Sequence, residues 1–239
     1  MKQPYEILRW DTDFFGYPVA KIHRNNLSDQ ELIECLAFLK QDVRLVYYAS
    51  ANKIQDNTLL LKEFNGLLVD RKTTFYKEGC LSNAYSDKYT FEYNDNFNLH
   101  ELLQLGIASG IYSRYKIDPN IEEIKYEALY KEWMINSIEG ILADKVLVYV
   151  DDNTILGVIT LDLKSNHNLV NIGIISVRES ARGKGIGKTL LRAAEEFAVK
   201  NKASKIQVVT QGANKAACAL YNSYGYRIEK VEYFYHFWL

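Results

Sequence analysis

The run Arg182-Gly183-Lys184-Gly185-Ile186-Gly187-Lys188 decides how this sequence is interpreted. It lies between an apolar, strand-like stretch, Val170–Val177, and an amphipathic helix that we expect to begin near Ile186. Three glycines in five residues allow a sharp turn and a close approach of the backbone to a ligand, because no Cβ atom opposes positive φ. The unpaired N–H groups at the start of a helix bind anions. The run therefore predicts a phosphate-binding loop.

The spacing of the glycines excludes two common nucleotide-binding loops. A P-loop needs a glycine five residues before Gly187, where this sequence has Arg182. A dinucleotide-binding loop that used Gly183 and Gly185 would need its third glycine at position 188, which is Lys188. The pattern that fits is Arg-x-x-Gly-x-Gly, formed by Arg182, Gly185 and Gly187.

A second motif follows after the length of one helix and one strand. It fits the pattern Asn-x-x-Ala-x-x-Leu-Tyr, followed by a glycine and an aromatic residue, and its members are Asn214, Ala217, Leu220, Tyr221, Gly225 and Tyr226. Together the two motifs resemble the GNAT superfamily of N-acetyltransferases, over about residues 89–239. The resemblance implies an α/β fold with a mixed sheet, of the GNAT acyl-CoA N-acyltransferase type, and acetyl-CoA as the co-substrate.

The resemblance also implies which residues bind acetyl-CoA. They belong to the strand before the loop, to the loop and to the second motif: Ile175, Ser176, Val177, Arg182, Gly183, Lys184, Gly185, Ile186, Gly187, Lys188, Asn214 and Tyr221. The amide of Val177 is implied to stabilise the negative charge that develops on the thioester carbonyl. Tyr221 is implied to protonate the departing thiolate, since a tyrosine hydroxyl keeps its proton at neutral pH.

Simpler interpretations of these residues stay open. Tyr221 is one of 18 tyrosines and would also serve by packing beside the cofactor. Asn214 would bind the pantetheine amides, cap its own helix, or do both. No residue is identified as the base that deprotonates the attacking amine. His167 lies in a polar turn and is expected to be a solvated loop residue.

The composition excludes several other classes of function. Hydrophobic residues make up 48% and charged residues 25% of the 239 residues, as in an ordinary globular protein, and the net charge of −1 gives no general attraction to nucleic acid or to an anionic membrane. No run approaches the roughly 20 apolar residues of a membrane span, and no signal core follows Met1, so we expect a cytoplasmic protein. The three cysteines and four histidines are scattered, so no metal site is expected.

The polar stretch Ser82–Lys88 predicts a linker between two parts. Residues 1–86 would form a smaller α/β cap domain and residues 87–239 the acetyltransferase domain. The cap pattern predicts strands at Tyr5–Trp10, Pro18–His23, Leu45–Ala49 and Gly66–Tyr76, a turn at Asp11–Gly16, and a helix that begins at Ser28 with a capping box to Glu31.

The second part predicts a mixed sheet that is split around the glycine loop. Its predicted helices are Leu99–Ser109, Ile121–Ile138, the helix from Ile186, and Asn214–Tyr224; its predicted strands are Lys145–Val150, Ile155–Leu163, Leu169–Val177, Lys205–Thr210 and Val231–Leu239. The first three of these strands form an antiparallel meander. For the last segment a buried strand is favoured over a dimer surface, and pairing across a two-fold axis in a homodimer is left open.

The acceptor is suggested by the amino-terminal half. The stretches Leu8–Ala20 and Ser109–Tyr115 resemble segments of the dTDP-fucosamine acetyltransferase group. The resemblance implies acetylation of the 4-amino group of a dTDP-4-amino-4,6-dideoxyhexose, a nucleotide-linked amino sugar used for cell-surface polysaccharide. Arg114 would pair with a phosphate, and Tyr115 and Trp10 would contact the substrate.

Alternatives to this acceptor also stay open. Trp10, with Phe14 and Phe15, would equally serve as a core residue that anchors the cap. The acceptor would then be another amine, such as a protein amino terminus, a polyamine or an antibiotic. In a different class of function, the chain would be a non-catalytic protein that binds acetyl-CoA.

Overall fold

The computed structural model describes residues 4–55, 58–79, 87–164 and 168–239. These residues form ten strands and eight α-helices. The strands are β1 Tyr5–Ile7, β2 Val19–Ile22, β3 Leu45–Ser50, β4 Gly66–Glu78, β5 Thr90–Glu92, β6 Lys145–Asp151, β7 Thr154–Leu163, β8 Leu169–Val177, β9 Lys205–Gln211 and β10 Arg227–Trp238. The helices are α1 Arg9–Phe15, α2 Asp29–Leu39, α3 Leu59–Glu63, α4 Leu99–Ser109, α5 Arg114–Ile117, α6 Glu123–Ile138, α7 Ile186–Lys200 and α8 Lys215–Ser223.

The described strands form one mixed sheet in the order β1-β2-β3-β10-β4-β9-β8-β7-β6-β5. The pairs β2–β3 and β8–β9 are parallel, and the other neighbours are antiparallel. Strand β4, from the first part of the sequence, lies between β9 and β10 of the second part. The division at residues 86 and 87 stays a prediction, and most of its linker, residues 82–86, lies outside the described residues.

Helices pack on both faces of the sheet. Side chains of β10 contribute to the cores on both faces. Tyr235 and Phe237 belong to a core formed with α2 and α3, whereas Trp238 packs with α1, α5 and α6 on the other face. This alternation follows from the two-residue period of side chains along a strand. A further core lies between α7 and strands β7 to β9, and includes Leu190 and Ile206.

The segment after β1 differs from its prediction. The predicted strand Tyr5–Trp10 ends at Ile7, and the predicted turn at Asp11–Gly16 is the helix α1. The helix ends at Gly16, which adopts a left-handed conformation with φ 82° and donates its N–H to Thr12. The Thr12 hydroxyl accepts the N–H of Val19 at 3.0 Å, so tertiary contacts hold a segment whose residues have little helix propensity.

Two other predictions about the first part and the tail are confirmed. Helix α2 begins with the predicted capping box, in which Ser28 and Glu31 each accept the backbone N–H of the other. The tail is a buried strand: β10 pairs with β3 on one edge and with β4 on the other. Both of its edges are therefore occupied within the chain.

The predicted split in the sheet is also confirmed, and it opens a gap between two strands. Strand β8 pairs with β9 only from Leu169 to Ile172. Its remaining residues pair with β7 alone, as far as Val177 opposite Gly157. The two parallel strands therefore diverge in front of the glycine loop.

Candidate active site

Backbone N–H groups of β8 point into the gap that β9 leaves. Arg178 donates its N–H to Leu156 of the β7 side at 2.8 Å. Because N–H directions alternate along an antiparallel strand, Val177 and Ile175 point their N–H groups away from β7. The gap is thus lined by main-chain N–H donors, and one of them is the Val177 amide that was predicted to stabilise the thioester oxygen.

The glycine loop needs glycine for its backbone conformation. Gly183 has φ 78° and Gly185 has φ 86°, and a Cβ atom at either position would meet no atom within 4 Å. Left-handed φ, and not crowding, is what disfavours a side chain there. Gly187 differs, since its Cβ would lie 3.0 Å from Leu220, so glycine at this position lets α7 and α8 approach each other.

The geometry at the start of α7 suits the binding of an anion. Helix α7 has 15 residues and no side-chain cap at its N-cap residue, Gly185. Its first internal hydrogen bonds are donated by Lys188 and Thr189, and no described residue accepts the N–H groups of residues 183–187. Arg182 is exposed, and its Nε donates to the Val177 carbonyl at 3.2 Å, which ties the loop to the end of β8. Unpaired N–H groups with basic side chains beside them suit a phosphate.

The second motif forms the opposite wall of the gap. Asn214 is the N-cap of α8, and its Oδ1 accepts the N–H of Ala217 at 3.1 Å, so the capping interpretation is confirmed. Tyr221 is 2% exposed and packs against Phe75 and Tyr226, with ring centroids 5.4 and 5.9 Å away. Burial raises the pKa of Tyr221 far above its ordinary value of 10. Its hydroxyl therefore holds a proton at neutral pH, as a proton donor must.

Two cavities meet at this wall. The first has a volume of about 450 Å³ and lies among the end of β8, the glycine loop and α8. Of the twelve predicted acetyl-CoA residues, all except Lys184 line it, although their contact with the co-substrate stays a prediction. The second cavity, of about 360 Å³, lies between the diverging strands and helices α5 and α6. Tyr221, Ile175 and Asn214 line both cavities, so Tyr221 stands at their junction.

Arg114 supplies positive charge to the second cavity. Its guanidinium carbon lies 4.0 Å from the ring centroid of Tyr47, 4.4 Å from that of Tyr115 and 4.5 Å from that of Phe234. It donates to the Tyr115 hydroxyl, and its Nη1 lies 3.5 Å from Nε2 of His236. No described carboxylate forms a direct ion pair with it, although the carboxylates of Asp11 and Asp70 interact electrostatically with its charge.

The buried side chains of His236 and Asp118 lie next to Arg114, and His236 contacts both of the others. Nδ1 of His236 lies 2.6 Å from Oδ2 of Asp118, which also accepts the indole N–H of Trp238 at 2.9 Å. Burial lowers the pKa of His236 to about 4, so the ring is neutral at pH 7. Its Nδ1–H therefore donates to Asp118, and its Nε2 is left as an acceptor that faces Arg114.

The structure separates the three predicted acceptor residues. Arg114 and Tyr115 line the second cavity, and Trp10 lines neither of the two. Trp10 is 42% exposed on α1 and stacks on Phe14 at 5.0 Å, while Phe15 beside it is buried. The core interpretation is thus correct for Phe15, and a substrate contact of Trp10 stays a prediction.

Asp70 lines the second cavity and was not singled out from the sequence. Burial raises its pKa to about 7, although the charges of Arg114, Lys72 and Arg71 act in the opposite direction. In the sequence, Asp70 is distinguished only as an acidic residue that follows three apolar residues in the predicted strand Gly66–Tyr76. Many strands carry such a residue on their solvent side, so the pattern alone does not indicate a site.

Other candidate sites were expected to be absent. Within the described ranges, no three His, Cys, Asp or Glu residues cluster as metal ligands, and no helix is both long and apolar enough to span a bilayer. Cys35 and Cys218 are free thiols. Cys80 and His167 lie outside the described residues.

Comparison with known proteins identifies related sequences and folds. Residues 109–226, which are 118 of the 239 residues, match the family described as "Acetyltransferase (GNAT) family". An N-acetylaspartate synthetase from Danio rerio is 35% identical over 80 residues, which are 34% of this chain and 28% of that protein. The chain therefore matches less than a third of the length of that curated relative.

Solved structures share the fold over nearly the whole chain. A conserved protein of unknown function from Staphylococcus epidermidis superposes with a TM-score of 0.65 at 15% identity, covering 93% of this chain and 85% of the other. A GCN5-related N-acetyltransferase from Sphaerobacter thermophilus gives 0.62 at 9% identity, with 97% and 75% covered. These likenesses confirm the expected α/β fold with its mixed GNAT-type sheet.

Proposed function

We propose that this protein, whose residues 109–226 match the Acetyltransferase (GNAT) family, transfers the acetyl group of acetyl-CoA to a primary amine held in the second cavity. The observation that carries the proposal is the junction of the two cavities at Tyr221. One cavity has at its mouth the unpaired N–H groups of residues 183–187, and the other has a charged and aromatic lining. A donor and an acceptor bound in them would meet beside the end of β8.

The first cavity suits the co-substrate. The pyrophosphate would bind the unpaired N–H groups of residues 183–187, with Arg182 and Lys188 beside it. The pantetheine arm would pair with the free edge of β8, where Ile175 and Val177 direct their N–H groups into the gap. The side-chain amide of Asn214 is at hand for the same arm. Lys184 belongs to the same proposal as an exposed charge near the phosphates.

The chemistry follows from two groups at the junction. The amine nitrogen attacks the thioester carbonyl, and the N–H of Val177 stabilises the negative charge that develops on the oxygen. The C–S bond then breaks, and the Tyr221 hydroxyl gives its proton to the sulfur. Because burial holds the pKa of Tyr221 high, the phenolate that results readily takes a proton back, either from the nitrogen or from water.

For the acceptor we propose a dTDP-4-amino-4,6-dideoxyhexose. The support is Arg114, whose stacked guanidinium suits a phosphate, together with the aromatic side chains around it. A second candidate is an amino acid, since a relative is an N-acetylaspartate synthetase and Arg114 suits a carboxylate equally well. Both candidates place an anion next to a primary amine.

A screen of amines tests the proposal. Thiol release from acetyl-CoA would be measured with a dTDP-4-amino-4,6-dideoxyhexose, L-aspartate, spermidine and a peptide with a free amino terminus. We expect the nucleotide sugar to give the highest kcat/KM. Turnover of the peptide or of spermidine alone would reject the anionic acceptor. Binding of acetyl-CoA without turnover of any amine would favour a non-catalytic acetyl-CoA-binding protein.

The proposal also covers the location of the protein and its oligomeric state. We place the protein in the cytoplasm, because acetyl-CoA is made and consumed inside cells. Sedimentation of the purified protein would decide between a monomer and a homodimer.

A further inference from the structure

An irregularity in the sheet accompanies Asp70 on β4. In the ladder between β4 and β10, Phe234 lies opposite Asp70, and the next residue, Tyr235, lies opposite Leu68. Val69 is therefore an extra residue on β4. Such bulges disturb the local pleat and re-aim side chains, and they are common beside active sites. Here the bulge adjoins Asp70, the one carboxylate among the described residues that line the second cavity.

One oxygen of this carboxylate lacks a protein partner. Oδ1 of Asp70 is buried and makes no hydrogen bond with any described residue. Buried polar atoms without partners are rare in folded proteins because each one costs desolvation free energy. Because Asp70 lines the second cavity, a ligand bound there is the candidate for the missing donor.

The charged surroundings of Asp70 come from several elements. Arg114 reaches it from α5, and Lys72 and Arg71 from β4 itself. Among the described residues, helices α5, α6 and α8 each contribute one further titratable group to the cavity lining, a tyrosine hydroxyl: Tyr115, Tyr130 and Tyr221. The described parts of β8, β9 and β10 contribute no titratable side chain to the lining. Despite the three cations, burial raises the pKa of Asp70 to about 7. That value suits a group that exchanges protons at neutral pH.

We propose that Asp70 binds the ammonium group of the acceptor in the second cavity and removes its proton before acetyl transfer. The inference rests on the proposed function and adds the base that the sequence left unidentified. One proton passes from R–NH₃⁺ to the carboxylate, giving R–NH₂ and a neutral Asp70. The amine then attacks the thioester, the N–C bond forms and the C–S bond breaks. The nitrogen loses a second proton, and Tyr221 protonates the sulfur.

The proton balance closes without a further reactant. The second nitrogen proton restores the Tyr221 hydroxyl, and the proton on Asp70 leaves to water. The products are one amide, one thiol and one released proton. The same carboxylate, with Arg114 in the same cavity, selects acceptors that carry both an ammonium group and an anion.

The test compares Asp70→Asn with a matched control, Asp11→Asn. Asp11 is a carboxylate whose pKa is also raised by burial and which also faces the charge of Arg114, but it does not line either cavity. With the dTDP-amino sugar and L-aspartate as probes, Asp70→Asn should lower kcat/KM by about 100-fold or more. The acidic limb of the pH profile, near pH 7, should disappear. Asp11→Asn should keep that limb, and both variants should bind acetyl-CoA with the wild-type Kd.

A rescue experiment separates a base from a structural residue. In Asp70→Ala, added formate should restore part of the rate, because a small carboxylate replaces the missing one. A wild-type rate and pH profile in Asp70→Asn would overturn the inference while leaving the proposed function intact.

Carboxyl NMR covers the case in which no amine turns over. In the wild-type protein with acetyl-CoA bound, one aspartate carboxyl should titrate near pH 7, and its signal should be missing in Asp70→Asn. If every aspartate carboxyl titrates below pH 5, the inference is wrong. If wild-type protein fails to bind acetyl-CoA, it is instead the proposed function that fails.

Discussion

Gly185 and Gly140 share one backbone conformation at two unrelated places. Their φ angles are 86° and 78°, and a Cβ atom at either position would meet no atom within 4 Å. Alanine at either should therefore cost about 1–2 kcal/mol of stability through left-handed strain alone. We expect Gly185→Ala also to weaken acetyl-CoA binding by about tenfold, a loss of about 1.4 kcal/mol, because its methyl group would lie in the loop proposed to bind the pyrophosphate. Calorimetry checks this against Gly140→Ala, and equal Kd values would reject the loop as the phosphate site.

Tyr221→Phe removes one hydroxyl and keeps the ring. The rate of acetyl transfer should fall by about 100-fold, as is typical for loss of a general acid, with little change in the Kd of acetyl-CoA. Tyr226→Phe is the control, since Tyr226 is also 2% exposed and lines neither cavity. Stopped-flow measurement of thiol release checks both variants. A rate for Tyr221→Phe equal to that of the control would leave Tyr221 as a packing residue.

His236 should make the protein less stable in acid. Its pKa is about 4 in the folded chain and 6.5 as an ordinary value, so both states hold a neutral ring above pH 6.5. Between pH 6.5 and 4 the His236 ring is protonated in the unfolded chain but stays neutral in the folded chain. Stability should therefore fall on acidification, by on the order of 2–3 kcal/mol at pH 4.5.

Urea unfolding of His236→Gln checks this assignment. The variant should be less stable than the wild type at pH 7, because the contacts with Asp118 and Arg114 are altered. It should lose about 2 kcal/mol less than the wild type between pH 7 and 4.5. His23→Gln, at an exposed histidine, is the control and should follow the wild-type curve. Parallel curves for His236→Gln and the wild type would contradict the assignment.

Arg114→Lys tests the anion site of the second cavity. Lysine keeps the charge but loses both the planar fork and the stacking on three rings. We expect KM for an anionic acceptor to rise by about tenfold, with kcat changed less and the Kd of acetyl-CoA unchanged. Arg24→Lys is the control, because Arg24 forms an exposed ion pair with Glu31 far from the cavity. Steady-state kinetics with the two anionic probes decides the matter, and an unchanged KM would remove Arg114 from acceptor binding.

A largely buried ion pair joins β4 to α7. Lys77 contacts Glu195, whose side chain is 5% exposed. Lys77→Met should lower the free energy of unfolding by about 2–3 kcal/mol, because it leaves the buried carboxylate of Glu195 without a partner. The loss is smaller than for a fully buried pair because Lys77 is partly exposed. The double variant with Glu195→Leu should recover most of this loss. Urea unfolding of the single and double variants measures it, and additive losses would show that the two residues act independently.

Local patterns were enough to predict the secondary structure around the proposed donor site. The glycine loop, the helix behind it and the cap formed by Asn214 depend on spacing within about 45 residues, so the sequence specified them without tertiary information. The acceptor cavity depends on distant residues instead. Asp70 and Phe234 are neighbours only because β10 pairs with β4, and no local pattern encodes that pairing. For the same reason the helix Arg9–Phe15 was missed: its stability comes from contacts with β2 and the core.

The order of strands in the sheet also has consequences during protein synthesis. Strands β3 and β4 leave the ribosome long before β10, the strand that lies between them, and a hydrogen bond between Arg44 and Leu239 joins residues 195 positions apart. Contacts so distant in sequence slow folding. Until β10 arrives, the facing edges of β3 and β4 offer unpaired N–H and C=O groups to other chains. The strand that carries Asp70 is therefore among those most exposed to aggregation while the chain is being made.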